Sequence, residues 1–204
     1  IIFTRGTTEG VNIVAHALGR TLQPGDEVIV SEMEHHSNLI PWQMVCRDRS
    51  ARLLAVPLQD GAYLDMASYA RLLGPRTRMV ALTHISNVLG TINPVVDIVR
   101  QAHAAGAQVL LDGAQAAPHL RLDLAALGCD FYVFSGHKML GPMGSGALWA
   151  RRSLLEAMPP FMSGGEMIRE VHLRRSDFNE IPWKFEAGTP AVGDAIGLGV
   201  AAEY

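Results

Sequence analysis

Short, nearly unbroken apolar runs recur along the chain at Val28–Ser31, Leu53–Pro57, Met79–Ser86, Gln108–Asp112, Phe131–Ser135 and Gly146–Arg151. Strands covered on both faces read this way, whereas a half-exposed strand alternates apolar with polar positions. The opening Ile1-Ile2-Phe3-Thr4 reads as the middle of one more strand. Helical patterns lie between several of the runs. Thr8–Gly19 carries Val11, Ile13, Val14, Ala17 and Leu18 and stops at Gly19. Leu39–Arg49 follows Pro, Asn and Ser signals. Asp65–Leu73 opens on a good N-cap and ends at Gly74-Pro75, and Pro94–Ala105 has Asn93 as cap, Pro94 at the first helical position and Gly106 as its stop. Apolar strands alternating with helices predict an α/β fold with a mostly parallel sheet covered by helices. Pro159–Lys184 mixes Pro, Gly, Met and charge without period and reads as a long loop excursion. The last residues, Gly197–Tyr204, continue a helical pattern with no stop beyond it. With no initiator Met at the other end, the chain is read as an internal piece of a longer polypeptide.

Composition narrows the function. Of 204 residues, 49% are hydrophobic and 18% charged, enough apolar surface for a substantial core and too little charge for a disordered chain. The net charge is −3 and the 17 Lys and Arg are scattered, which argues against a nucleic-acid partner. No apolar run reaches the ~18 residues of a membrane span. The two cysteines, Cys46 and Cys129, form neither a disulfide framework nor a zinc spacing, which favours a reducing cytoplasm.

In a wound α/β sheet, ligands bind beyond the carboxyl ends of the strands. Four runs in succession end in chemically capable residues: Ser31-Glu-Met-Glu-His-His-Ser-Asn38, Thr83-His-Ile-Ser-Asn87, Asp112-Gly-Ala-Gln115 and Ser135-Gly-His-Lys138. Asp112 closes a buried strand, where a carboxylate needs a cation or an N–H partner. Lys138 follows another such strand, where a desolvated amine becomes a nucleophile toward carbonyls. An Asp and a Lys on neighbouring strands suit a pyridoxal cofactor, the amine forming a Schiff base and the carboxylate keeping the ring nitrogen protonated. Arg5-Gly-Thr-Thr-Glu-Gly10, before the first helix, offers backbone N–H and hydroxyl groups for a phosphate, and Ser135 and His137 could add contacts. Blander readings stand beside these. Lys138 could be a surface lysine and Asp112-Gly113 a plain turn. His84 either lines the site or caps its strand. His16, His103, His119 and His172 read as structural or solvent-facing, Trp42 and Trp183 as packing or interface anchors, and Cys46 and Cys129 as packing residues. His35-His36 lacks the partners a zinc site needs, so no metal is expected.

Eight ordered segments carry a resemblance: Arg5–Gly10, Met33–His36, Pro41-Trp42-Gln43, Thr83–Thr91, Asp112–Gln115, Asp130–Lys138, Gly141-Pro142 and Phe185-Glu-Ala-Gly-Thr-Pro190. Together they resemble the class V aminotransferase family, and within it the group II, SUF-type cysteine desulfurases, close to selenocysteine lyases. The resemblance runs over nearly all of the chain. It implies the large domain of the fold type I transferases that depend on pyridoxal 5'-phosphate, with a mostly parallel sheet of the seven-stranded type. On this reading the N-terminal segment and the C-terminal small domain are missing. Lys138 matches the Schiff-base lysine, Asp112 the partner of the pyridine nitrogen, and His35 the histidine that stacks on the ring and helps move protons. Gln115 and Asn87 match residues near the phenolic oxygen. Thr8, Ser135 and His137 match phosphate ligands with Thr7 alongside, and Thr189 a threonine that reaches the phosphate of the neighbouring subunit, which implies a homodimer.

The implied reaction converts L-cysteine to L-alanine. Sulfur passes to an enzyme persulfide and on to an acceptor protein for iron–sulfur cluster assembly in the cytoplasm. The family's nucleophilic cysteine would lie beyond Tyr204, so this piece is expected to hold cofactor without turning over alone. The alternatives are a selenocysteine lyase, another class V enzyme such as an aminotransferase or a kynureninase-like hydrolase, and a non-catalytic interaction fragment.

Overall fold

The computed structural model describes residues 1–204. Its strands are β1 (Ile2–Thr4), β2 (Glu27–Ser31), β3 (Arg52–Val56), β4 (Leu58–Gln59), β5 (Tyr63–Leu64), β6 (Thr77–Thr83), β7 (Gln108–Asp112), β8 (Phe131–Ser135), β9 (Gly146–Ala150), β10 (Ile168–Val171) and β11 (Ser176–Phe178). The helices are α1 (Thr7–Gly19), α2 (Ile40–Arg49), α3 (Met66–Leu72), α4 (Val95–Ala104), α5 (Leu124–Leu127), α6 (Arg152–Ala157) and α7 (Val192–Glu203). Seven strands form one sheet in the order β1-β9-β8-β7-β6-β2-β3. Strands β8, β7, β6, β2 and β3 are mutually parallel, and β9 runs antiparallel to both β8 and β1.

The unbroken apolar runs become strands because the sheet has a core on each face. Successive side chains point to opposite sides. Val28, Val30, Met79, Ala81, Leu110, Phe131 and Val133 join Val11, Val14 and Trp42 on the α1 and α2 side. Their neighbours Ile29, Val80, Leu82, Val109, Leu111 and Tyr132 join Tyr69, Ile98, Val99 and Ala102 on the α3 and α4 side. The two cores make a helix–sheet–helix sandwich, and the central strands are buried along most of their length. Asp65 caps α3 as expected, accepting the Ser68 N–H at 2.9 Å. Asn93 does not cap α4. Its Nδ2 turns inward and donates to the Thr83 carbonyl at 2.8 Å, because the buried end of β6 offers it an acceptor.

The aperiodic stretch 159–184 is not all loop. β10 and β11 pair as a small antiparallel hairpin, and Trp183–Phe185 form a 3-10 turn. Its surface ion pairs Arg169–Glu180 and Arg175–Asp177 each join one strand residue to a residue just outside the strands. Only one residue of those strands is even half-buried on each side, so no amphipathic alternation marks it in the sequence.

Gly113, just after β7, packs against the fully buried Tyr132: a Cβ there would lie 2.0 Å from the ring's Cε1. The ring is held by both core and sheet, so Gly113→Ala is expected to lower stability by roughly 1–3 kcal/mol through overpacking. Urea unfolding measures this, and a midpoint equal to the wild type's would show that the ring can yield.

Candidate functional site

Strands β8, β7, β6 and β2 are neighbours in the sheet and parallel, so their carboxyl ends lie side by side. Those four ends carry the four polar segments singled out from the sequence. Because β9 is antiparallel to both β8 and β1, β1 points the same way as β8 and delivers the N-terminus of α1 to the same edge. A cavity of about 180 Å³ opens there, lined by Thr7, Thr8, His35, Ser37, Thr83, Ile85, Asn87, Asp112, Ala114, Gln115, Ser135, His137 and Lys138. Nine of the ten expected site residues thus meet in one cavity. Thr189 does not: it lines a separate cavity of about 190 Å³ with Phe3, Arg5 and Glu186. The first cavity is the one that holds both the buried carboxyl of Asp112 and the amine of Lys138.

Asp112 is 3% exposed. Its Oδ1 accepts the Ala114 N–H at 2.9 Å, and Oδ2 has no hydrogen bond within the chain. Burial pushes its carboxyl above the usual carboxylate range, while the Ala114 N–H, Lys138 and His35 pull it back. Lys138 follows β8 in a short 3-10 turn over Gly136–Lys138, and its amine has no hydrogen bond or ion pair within the chain. His35 comes from the turn after β2. Its Nδ1 accepts the Ser37 N–H at 3.1 Å and lies 2.7 Å from Ser37 Oγ, so the neutral ring carries its proton on Nε2.

The anion-binding end is built by close backbone approach. Gly6 takes φ 128°, and a Cβ at Gly146 would lie 2.5 Å from the Gly6 Cα. That contact brings the Thr7 N–H to 2.9 Å from Ser135 Oγ, with Thr7 Oγ1 also 2.9 Å from it. The N–H groups of Thr8 and Glu9 have no acceptor within the chain. A positive helix end with unpaired N–H groups and three hydroxyls suits a phosphate. An engineered cavity of about 150 Å³ takes up benzene, so the space is sufficient for a six-membered ring. A carboxylate with a free oxygen, an unpartnered amine and a phosphate cradle around it are the donor set that pyridoxal phosphate requires.

Sequence reasoning assigned no role to Ser37, Thr83, Ile85 or Ala114, which line the cavity, nor to Glu34 beneath it. Glu34 accepts from Ser31 Oγ, from the Thr83 N–H at 3.0 Å and from Asn38 Nδ2 at 2.6 Å. The available signal was a carboxylate in a turn flanked by an apolar strand and helix, with Ser and Asn within four residues. His84 lies outside the cavity. Its Nδ1 is 3.0 Å from Tyr132 Oη, its backbone N–H donates to the Asp112 carbonyl at 2.9 Å, and burial holds its imidazole below the usual range. His103 pairs with Asp130 at 2.8 Å and His16 packs edge-on to Phe161, both in structural roles. Cys46 and Cys129 are buried in the two cores, and burial pushes their thiols up to about 11 and about 12.

The aminotransferase class-V family model matches residues 1–204. A cysteine desulfurase of Dickeya dadantii (strain 3937) is 55% identical over 100% of this chain and 50% of its own length. The crystal structure of a cysteine desulfurase from Escherichia coli superposes with a TM-score of 0.97 at 45% identity, over 99% of this chain and 51% of that one. A mutant of C-DES, with glycine covalently linked to its PLP cofactor, gives a TM-score of 0.88 at 28% identity, over 99% of this chain and 54% of that one. The chain spans about half the length of the curated relatives it matches.

The two buried carboxyls set a pH dependence. Burial pushes Glu34 from 4.5 up to about 8, and Asp112 moves in the same direction. The folded chain then keeps protons that the unfolded chain has already released. The stability contributed by keeping these carboxyls protonated is therefore fully present below the ordinary carboxylate range, falls as pH rises toward about 8, and is gone above it. For the cofactor-free chain, unfolding free energy is expected to decline across that window, with Glu34 contributing up to about 1.4 kcal/mol per pH unit. Glu34→Gln should flatten the decline in denaturant titrations; an unchanged slope would show that Glu34 ionises freely.

Proposed function

The chain belongs to the class V aminotransferase family, and on that premise we propose that it is the cofactor-binding part of a SUF-type cysteine desulfurase dependent on pyridoxal phosphate. The observation that carries this reading is Asp112: a carboxylate 3% exposed, with one oxygen unpartnered, on a ring-sized cavity shared with Lys138 and His35.

Bound there, pyridoxal phosphate supplies a carbonyl that captures an amino acid covalently and a ring that takes up the electron pair left when a bond at Cα breaks. The chain's residues then have distinct tasks. Asp112 holds a proton at the ring nitrogen. The Lys138 amine would anchor the cofactor covalently and, when free, would accept the proton from Cα. His35 covers the ring and moves protons through Nε2, with Nδ1 fixed by Ser37. Thr7, Thr8, Ser135 and His137 hold the phosphate at the end of α1, and Gln115 and Asn87 bind the phenolic oxygen. Thr189 serves the phosphate of a partner subunit in a homodimer.

L-cysteine is the proposed substrate, its sulfur passing to a thiolate and then to an acceptor protein for iron–sulfur cluster assembly. Neither Cys46 nor Cys129 supplies that thiolate, since burial keeps both protonated. The chain alone therefore binds cofactor and amino acid without releasing alanine. No helix is long and apolar enough to cross a membrane, and the proposed reaction takes place in the cytoplasm.

Reconstitution with pyridoxal phosphate is expected to produce the visible band of a lysine Schiff base, and borohydride should trap the adduct on Lys138. L-cysteine should shift the band. Lys138→Ala should abolish both band and adduct while leaving the fold intact by circular dichroism. A band that survives this substitution, or an adduct on another lysine, would overturn the reading.

A further inference from the structure

A second carboxyl group is buried beneath the cavity, and the chemistry above has no use for it. Glu34 is 9% exposed, in the turn that follows β2 and directly before His35. Its Oε1 accepts from the Ser31 hydroxyl at the end of β2 and from the Thr83 N–H at the end of β6. Its Oε2 accepts from Asn38 Nδ2, and Asn38 Oδ1 accepts Trp42 Nε1 of α2 at 3.0 Å. Asn38 and Trp42 are fully buried. One carboxyl group thus joins β2, β6 and the start of α2. Thr83 lines the cavity and is the register partner of Asp112 in the sheet. Through this group, the segment bearing His35 is tied to the strand beside the one bearing Asp112.

Packing alone would be served by an apolar side chain without the cost of burying a carboxyl. Of the charged groups around it, only Asp112 acts on Glu34, and it raises the pKa of that carboxyl; Lys138 and His35 act on Asp112 instead. Burial is the main cause that raises the Glu34 carboxyl, with Asp112 beside it adding to the rise and the hydrogen bonds from Ser31, Asn38 and Thr83 opposing it.

We propose that Glu34 is a positioning residue of this site, its carboxyl clamping the His35 turn to β6 and so holding the imidazole over the cavity. Its importance for the cofactor rests on the functional reading above, but the clamp itself can be tested without cofactor.

Glu34→Gln keeps the shape and the Oε1 acceptor, yet turns an NH₂ group toward the NH₂ of Asn38. Adding Asn38→Asp restores an acceptor that can serve both the new amide and Trp42. In the cofactor-free chain, Glu34→Gln should speed amide hydrogen exchange at Ser37 and Thr83 by roughly tenfold, the scale of one lost buried hydrogen bond. Val109, whose N–H donates to Asp130 at 2.7 Å, should be unaffected and serves as the reference for global unfolding. The double variant should return Ser37 and Thr83 to wild-type rates. In the chain loaded with pyridoxal phosphate, visible dichroism per bound cofactor should fall in the single variant and recover in the double. Unchanged exchange at Ser37 in Glu34→Gln, uniform acceleration that includes Val109, or no recovery in the double variant would each overturn the clamp. Failure of the wild type to load at Lys138 would overturn the functional reading alone, since the exchange measurements decide the clamp without cofactor.

Discussion

A carboxylate at the end of a central strand, almost wholly removed from water, sets the terms for everything around it. Asp112 accepts one backbone N–H and leaves its other oxygen unpaired. Ionising a carboxyl in that position is costly unless opposite charge stands close by. Lys138 and His35 supply part of that compensation. The sheet order makes this possible, because it sets the ends of β8, β7, β6 and β2 next to one another rather than dispersing them.

Much of this was legible in the residues. Each apolar run became a strand because two cores absorb its alternate side chains, the physical situation that unbroken hydrophobicity reports. The helices ended where Gly19 and Gly106 stop them, and α1, α2, α3 and α4 fell within a residue or two of their patterns. At the site, Asp112 and Lys138 stood out because a charged group at the exit of a buried strand needs a reason. The phosphate end was less legible from spacing, since it depends on a backbone approach between Gly6 and Gly146, far apart in the chain.

Features without a hydrophobic period escaped. The β10–β11 hairpin is held by its own ladder and by exposed ion pairs, so burial leaves no imprint on its sequence. The short helices α5 and α6 have four and six residues, too few for a face to repeat. Glu34 lies within the Met33–His36 segment, but an acidic residue in a turn ordinarily reads as solvated. Its burial follows from three partners, of which Thr83 is distant in sequence. Asn93 misled in the opposite sense: its place before a proline suggests a cap, while the β6 carbonyl drew its amide inward.

The antiparallel strand β9, wedged between β8 and β1, has a consequence for how the molecule comes into being. Ile2–Thr4 have no sheet partner until Gly146–Leu148 have been made. Strands β2, β3, β6 and β7 can assemble among themselves well before that, over shorter loops whose closure is less costly. Thr7 and Ser135, 128 positions apart, can touch only after Ser135 has been made. During synthesis the contact between Thr7 and Ser135 is therefore made after the sheet centre that carries Asp112, so the start of α1 is fixed to the edge only once the strands beside it are in place.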